Sequence, residues 1–279
     1  MIISKSGNTL ETISNSNFLI NKNDKNIFIT EPKNSYLMKF ANQLKSKIIH
    51  HNNFIGGRYS VLSEVGMLPA ELMGLNVKKF KNFNSLIKNK LYIKHLVQNV
   101  SNTLYLINNK KFNSVILNYD DNSSDLFFWY QQLIAESLGK KGKGIFPIIS
   151  NMPKDNHSLM QLYLDGTKKN FYTFFFVEDS TTKKINNNKL IKSHSYLRNK
   201  TLNEIKKSQF EATQKVFKNM KIPYRSFYIK KRNEETLGEL FTFFILETIL
   251  LGKALNINPY DQPSVELVKK ETKKFLKGF

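Results

Sequence analysis

The stretch Asn26-Ile27-Phe28-Ile29-Thr30, closed by Glu31-Pro32, then Ser35 to Leu44, then Lys47-Ile48-Ile49-His50, decides how this chain is read. Two short apolar runs flank a segment of helical pattern. Strand, helix and strand in that order argue for a parallel sheet with helices on its faces, because a parallel connection needs a crossover long enough to hold a helix. Immediately upstream, Met1-Ile2-Ile3 is a stub of apolar strand, followed by Ser4-Lys5-Ser6-Gly7-Asn8-Thr9 and the start of a helix at Leu10. A strand, a turn of small hydroxyl residues and a helix N-terminus make an anion site, since backbone N–H groups and the helix dipole point at the ligand. An ordinary helix cap would also use Ser or Thr, but it needs fewer of them than this loop supplies.

Downstream comes Phe54-Ile55-Gly56-Gly57-Arg58-Tyr59-Ser60-Val61-Leu62-Ser63. Paired glycines let a backbone approach a ligand closely, and an Arg at a helix start can stabilise a developing oxyanion. His50 and His51 read as surface residues, because no other His or acidic pair lies at metal-binding spacing. Asn84 to Asn108 carries apolar residues at helical period and predicts one long helix.

A second strand–helix alternation begins at Val115-Ile116-Leu117. The helix after it runs Phe128-Trp129-Tyr130-Gln131-Gln132-Leu133-Ile134-Ala135-Glu136-Ser137 and holds the only Trp. A Glu in apolar surroundings can serve as a base near neutral pH. An amphipathic core helix with a carboxylate at its wet end explains the same residues. Gly139 to Gly144 reads as a flexible basic loop, and Ile145-Phe146 as a short strand ended by Pro147. Asn156-His157-Ser158 starts a helix, and Phe171 to Val177 is an apolar strand. Thr201-Leu202-Asn203-Glu204 has capping-box spacing and opens a helix to Met220. Pro223 to Ile229 is a strand, Glu235 to Leu255 a long helix, and Asn258 to Lys269 a turn with a last helix.

The bulk numbers set limits. At 279 residues the chain can bury one large core or two ordinary ones. The longest apolar run, Phe241 to Leu251, is interrupted by Thr242, Glu247 and Thr248, so no membrane span and no membrane partner are expected. The start lacks the pattern of a secretory signal, and with no cysteine, disulfides and thiolate metal sites are excluded; a cytoplasmic location is the expectation. The net charge of +21 would suit nucleic acid, but only four of the 43 basic residues are Arg and the Lys are scattered. No nucleic-acid partner is expected, since base readout leans on Arg. Such a surface would instead attract anionic substrates.

Four separated stretches together resemble one family. They are Ser4 to Thr12; Gly56-Gly57-Arg58-Tyr59-Ser60; Trp129 to Leu133 with Glu136-Ser137; and Asn258-Pro259-Tyr260-Asp261-Gln262-Pro263-Ser264-Val265-Glu266 with Lys269. The chain is similar, from first residue to last, to the glucose-6-phosphate isomerases, built on two sugar isomerase (SIS) domains. The resemblance implies an α/β fold of two SIS-type three-layer αβα domains with parallel sheets, plus C-terminal helices. The expected division is a first domain at 1–100, N-terminally truncated, a second at 101–235, and C-terminal helices at 236–279. It also implies an aldose–ketose isomerase without metal or organic cofactor, acting on a sugar phosphate as a homodimer with a shared active site. A sugar-phosphate-binding module that has lost the chemistry is the alternative.

By the same resemblance Glu136 is the proton-shuttling base, Arg58 holds the enediolate charge, and His157 and Lys269 assist ring opening. Ser4, Lys5, Ser6 and Thr9 grip the phosphate, and Gly57, Gln132 and Gln262 contact substrate. Two departures stand out: the family's segment before the phosphate loop is missing, and Ser264 replaces a usual Gly. Unpaired strand edges and exposed apolar helix faces are expected to follow.

Overall fold

A computed structural model describes residues 1–179 and 181–278. The chain divides into two compact units, Met1–Phe83 and Asn84–Phe279.

In the first unit, strands β1 (Ile2–Ile3), β2 (Ile27–Thr30) and β3 (Lys47–His50) form a parallel sheet in that order. The register pairs Ile2 with Phe28 and Phe28 with Ile48, so these three side chains share one face. Helix α1 (Leu10–Leu19) follows β1, and α2 (Tyr36–Gln43) follows β2. Leu37 and Ala41 of α2 close over that face together with Phe28, and Phe40 meets Phe28 edge to face at 6.0 Å. The Ser35 hydroxyl caps α2 by accepting from the Met38 N–H at 3.3 Å. A 3-10 helix at Gly57–Leu62 leads into α3 (Glu64–Leu72) and α4 (Val77–Phe80), and α5 (Phe83–Lys88) starts at the boundary residue and lies otherwise in the second unit.

The expected single helix from Asn84 to Asn108 is two helices, α5 and α6 (Lys90–Asn108). The break falls at Asn89, whose side-chain oxygen accepts from the N–H groups of Leu91 and Tyr92 at 3.0 and 3.1 Å. An Asn that caps its own downstream turn competes with helix continuation, and apolar periodicity alone does not register that.

The second unit is a three-layer sandwich. Strands β4 (Asn113–Asn118), β5 (Phe146–Asn151), β6 (Asn170–Val177) and β7 (Tyr224–Ile229) form a parallel sheet in the order β5-β4-β6-β7. Every residue of β6 is buried, as a strand covered on both faces must be. On one face Val115, Leu117, Tyr172, Phe174 and Phe176 pack against Tyr163 of α8 (Met160–Asp165) and against Phe210 and Phe217 of α9 (Leu202–Asn219). On the other face α7 (Ser124–Leu138) sets Phe127 edge-on to Phe175 at 4.8 Å, and α10 (Glu234–Ala254) sets Phe244 against Phe227 at 5.6 Å. Each fully buried aromatic of this kind contributes about 1.5–3 kcal/mol relative to exposure. The two sheets with their helices are the α/β architecture expected from the sequence.

Strand β5 continues through Pro147 to Asn151, where the sequence suggested a stop. Proline lacks the ladder donor, and an edge strand tolerates that loss. The capping box at Thr201 and Glu204 forms as expected, with each side chain bonded to the other's backbone N–H. A last helix, α11 (Val265–Gly278), buries none of its residues. Leu267, Val268, Phe275 and Leu276 are exposed on it, as Phe18 and Leu19 are on α1. Among the described residues no helix is long and apolar enough to cross a membrane.

Candidate active site

In the first unit the loop between β1 and α1 is tightly built. Ser4 is buried, and its hydroxyl lies 2.8 Å from that of Thr9. Thr9 occupies the N-cap of α1 but makes no side-chain cap bond, its hydroxyl being turned to Ser4 instead. The Asn8 N–H donates to the Ser6 hydroxyl at 3.2 Å. Gly7 has φ +63°, and a Cβ there would meet the Ser35 Oγ at 2.2 Å, so glycine is required on two counts. The Gly7 carbonyl accepts from Leu37 and the Asn8 side chain from the Tyr36 N–H, which ties the loop to α2.

Lys5 is held rather than waving. Its Nζ donates to the Asn53 carbonyl at 2.9 Å and lies 3.3 Å from the Glu31 carboxylate. Lys33 pairs with the other Glu31 oxygen. Burial pushes the Glu31 carboxyl up, but hydrogen bonds and charge from Lys33 and Lys5 outweigh that and hold it below its ordinary value.

Gly57 and Arg58 open the 3-10 helix. Arg58 is 4% exposed, with its guanidinium over the Tyr59 ring at 5.3 Å. Just upstream, His51 is 1% exposed and not the surface residue expected from the sequence. Its Nδ1 meets the Glu64 carboxylate and its Nε2 lies 3.0 Å from the Ile55 carbonyl. One buried ring therefore spans both ends of the segment that carries Gly56, Gly57 and Arg58. Burial raises the Glu64 carboxyl, and backbone and His51 hydrogen bonds bring it below its ordinary value. This pairing lies outside sequence reasoning, since a His and a Glu thirteen positions apart carry no recognisable spacing.

In the second unit, Gln132 and Glu136 lie one turn apart on the same face of α7, and the Gln132 amide donates to Glu136 Oε1 at 2.9 Å. Glu136 is half-buried in the last turn of the helix. Trp129, one turn further back, stacks edge to face on Phe241 of α10 at 5.1 Å. His157 is exposed at the end of a 3-10 turn, Lys154–Asn156, that follows β5. The expected helix from Asn156 begins only at Met160. Asp155 takes the intervening residues into a turn: its carboxylate accepts from Ser150 Oγ and the Asn151 N–H at 2.8 Å, and from Ser158 Oγ at 3.0 Å.

Gln262 is half-buried in the segment before α11, and Lys269 lies on α11 with its amine 2.7 Å from the Glu266 carboxylate. The described structure thus joins Ser4 with Thr9 in one unit and Gln132 with Glu136 in the other. No group of three or more His, Asp or Glu among the described residues is placed to hold a metal ion.

Chemically, the first unit offers hydroxyls, backbone N–H groups and fixed cations suited to an anion. The second offers a helix-borne carboxylate steadied by an amide.

Comparison with known proteins points to one family. A family model described as Phosphoglucose isomerase matches residues 1–278. A curated relative, glucose-6-phosphate isomerase of Mycoplasmopsis pulmonis, is 33% identical over 296 residues, covering 99% of this chain and 68% of that protein. A crystal structure of a hypothetical protein from Thermus thermophilus superposes with a TM-score of 0.87 at 27% identity, over 99% of this chain and 70% of that one. A glucose-6-phosphate isomerase structure from Chlamydia trachomatis shares the fold, with a TM-score of 0.77 at 16% identity, over 99% of this chain and 58% of that one. The chain spans about two thirds of the length of such a relative.

Proposed function

The chain belongs to the phosphoglucose isomerase family, and from that premise we propose that it interconverts glucose 6-phosphate and fructose 6-phosphate. The reaction moves one proton between C2 and C1 and one between the two oxygens, with no net redox change. A carboxylate is suited to the first transfer: it takes the proton from C2 of the opened aldose and returns it to C1 of the enediol(ate). We assign that step to Glu136. The observation that carries the reading is the Gln132 amide on Glu136 Oε1 at 2.9 Å, which fixes one carboxylate oxygen and so orients the group for proton transfer.

The remaining roles are assigned by family resemblance and supported by local geometry. Ser4, Ser6 and Thr9, with the Lys5 backbone, bind the phosphate through the loop that Gly7 makes possible. Arg58, with Gly57 beside it, holds the enediolate's negative charge; a buried guanidinium is well suited, because low local dielectric strengthens its field. Gln262 contacts the sugar. His157 and Lys269 assist ring opening before the proton transfer. A homodimer in which the partner subunit's His157 serves each Glu136, and a cytoplasmic location, complete the proposal.

The test is to supply fructose 6-phosphate and follow glucose 6-phosphate through a coupled dehydrogenase. Turnover supports the reading. Thermal stabilisation by the sugar phosphate with no turnover would point instead to a binding module without chemistry.

A further inference from the structure

The basic turn after α7, expected from the sequence to be flexible, is tied to the end of α10 by two of its lysines. Lys140 and Lys143 pair across it as an antiparallel bridge, with the Lys143 N–H donating to the Lys140 carbonyl at 2.9 Å. Lys141, with φ +54°, and Gly142, with φ +69°, make the reversal, and Gly144, with φ +136°, leads out of it.

Both lysine side chains reach the same distant segment. The Lys143 amine donates to the Leu255 carbonyl at 2.9 Å, at the C-cap of α10, where a cation also favours the helix dipole. The Lys140 amine donates to the Asn258 carbonyl at 2.5 Å and lies 2.7 Å from the Asp261 carboxylate. The Lys140 side chain is only 11% exposed, so its charge is removed from most of the solvent and depends on these partners. The Asn258 amide donates to the second Asp261 oxygen at 3.1 Å, which closes the contact. Behind the segment, Pro259 is buried against Gly252 of α10, where an added Cβ would lie 2.9 Å from the Pro259 Cβ.

We propose that Lys140 is a positioning residue, which locks the Asn258–Asp261 segment, and with it Gln262 and the start of α11, to the end of the helix that carries Glu136. The proposal rests on the isomerase reading for its functional consequence. Glu136 lies four residues before Lys140, and Gln262 directly follows Asp261. The Lys140 amine therefore links the end of the helix carrying the proposed base to the segment carrying the proposed sugar contact. Lys143 and the Gly252–Pro259 contact hold the same segment from its other side. Lys140 has no direct part in the chemistry.

The experiment compares Lys140→Met, which keeps the stem and removes the charge, with Lys140→Arg, which keeps a cationic donor. Two readouts are taken: amide hydrogen exchange in peptides spanning 256–264, and kinetics on fructose 6-phosphate. In Lys140→Met, exchange in that window rises about tenfold or more while the middle of α7 is unchanged. In the same variant kcat falls by about tenfold to a hundredfold, because a small misplacement of a binding group is costly. Stabilisation by inorganic phosphate is unchanged, and Lys140→Arg recovers most of both effects. Unaltered exchange in Lys140→Met, or an equal loss in Lys140→Arg, would overturn the proposal. A parent chain without turnover would count against the isomerase reading alone, and the exchange comparison would still decide the clamp.

Discussion

His51 carries an acceptor on each side of one ring, the Glu64 carboxylate at Nδ1 and the Ile55 carbonyl at Nε2. A ring with a nitrogen on each side reaches both, and no smaller side chain does. Replacing His51 with Ala should destabilise the chain by about 1–3 kcal/mol, the usual range when buried polar groups lose their partner. Urea unfolding of the variant beside the parent measures it; a change within error would show that the ring is dispensable.

Glu31 allows a pH prediction. Its carboxyl is held below the ordinary glutamate value of 4.5, since the effect of Lys33 and Lys5 exceeds that of burial. A depressed folded-state value means that the carboxylate contributes stability above that pH and loses it as pH falls through the folded value. Glu31→Gln should therefore unfold more easily than the parent near neutrality, and the gap should close below pH 4.5. Unfolding midpoints measured across that range give the answer, and a gap that widened in acid would contradict it.

At the level of elements, one partly buried cluster joins five of them. Arg225 of β7 donates to Thr173 of β6 at 2.9 Å, to Tyr130 of α7 at 3.2 Å and to Asn99 of α6 at 3.4 Å, and it pairs with Glu247 of α10. The same helix α7 carries Glu136, so the cluster fixes the helix on which the proposed base stands. Glu247 is 1% exposed. Removing only the arginine leaves a buried charge uncompensated. Arg225→Met should cost about 3–5 kcal/mol, and adding Glu247→Leu should return much of that loss, because a paired apolar replacement is far cheaper than a broken pair. Chemical denaturation of the two variants tests the pattern; equal stability of single and double variants would contradict it.

Elements also show what the sequence could disclose. The strand–helix order of both sheets, the capping box at Thr201 and the fully apolar β6 were legible because local pattern and tertiary environment agree there. The break at Asn89, the continuation of β5 through Pro147 and the anchoring of the Lys140 turn were not. The first is a local Asn cap that apolar periodicity does not register, and the other two depend on a partner or sheet position that local composition does not encode.

At the scale of the whole chain, the four motif stretches carried the functional reading, and they did so as types at matching positions. The structure adds two local constellations, Ser4 with Thr9 and Gln132 with Glu136. What the sequence left unread was support: His51 behind the Gly57-Arg58 turn, Glu31 behind Lys5, Asp155 behind His157, and Lys140 behind Gln262. All but Asp155, whose bonds to Ser150, Asn151 and Ser158 are local, act through contacts between separated positions, so no spacing rule points to them. A net charge of +21 is a property of the entire surface and fits an anionic substrate without identifying it.

The most direct test is the isomerisation rate of Glu136→Gln beside that of the parent chain, with fructose 6-phosphate supplied and glucose 6-phosphate read by a coupled dehydrogenase. The substitution keeps size and hydrogen bonding and removes the base. The expected outcome is a fall of about a hundredfold to ten-thousandfold in kcat, with stabilisation by the sugar phosphate retained. A Glu136→Gln chain that isomerised at the parent's rate would show that Glu136 is not the base.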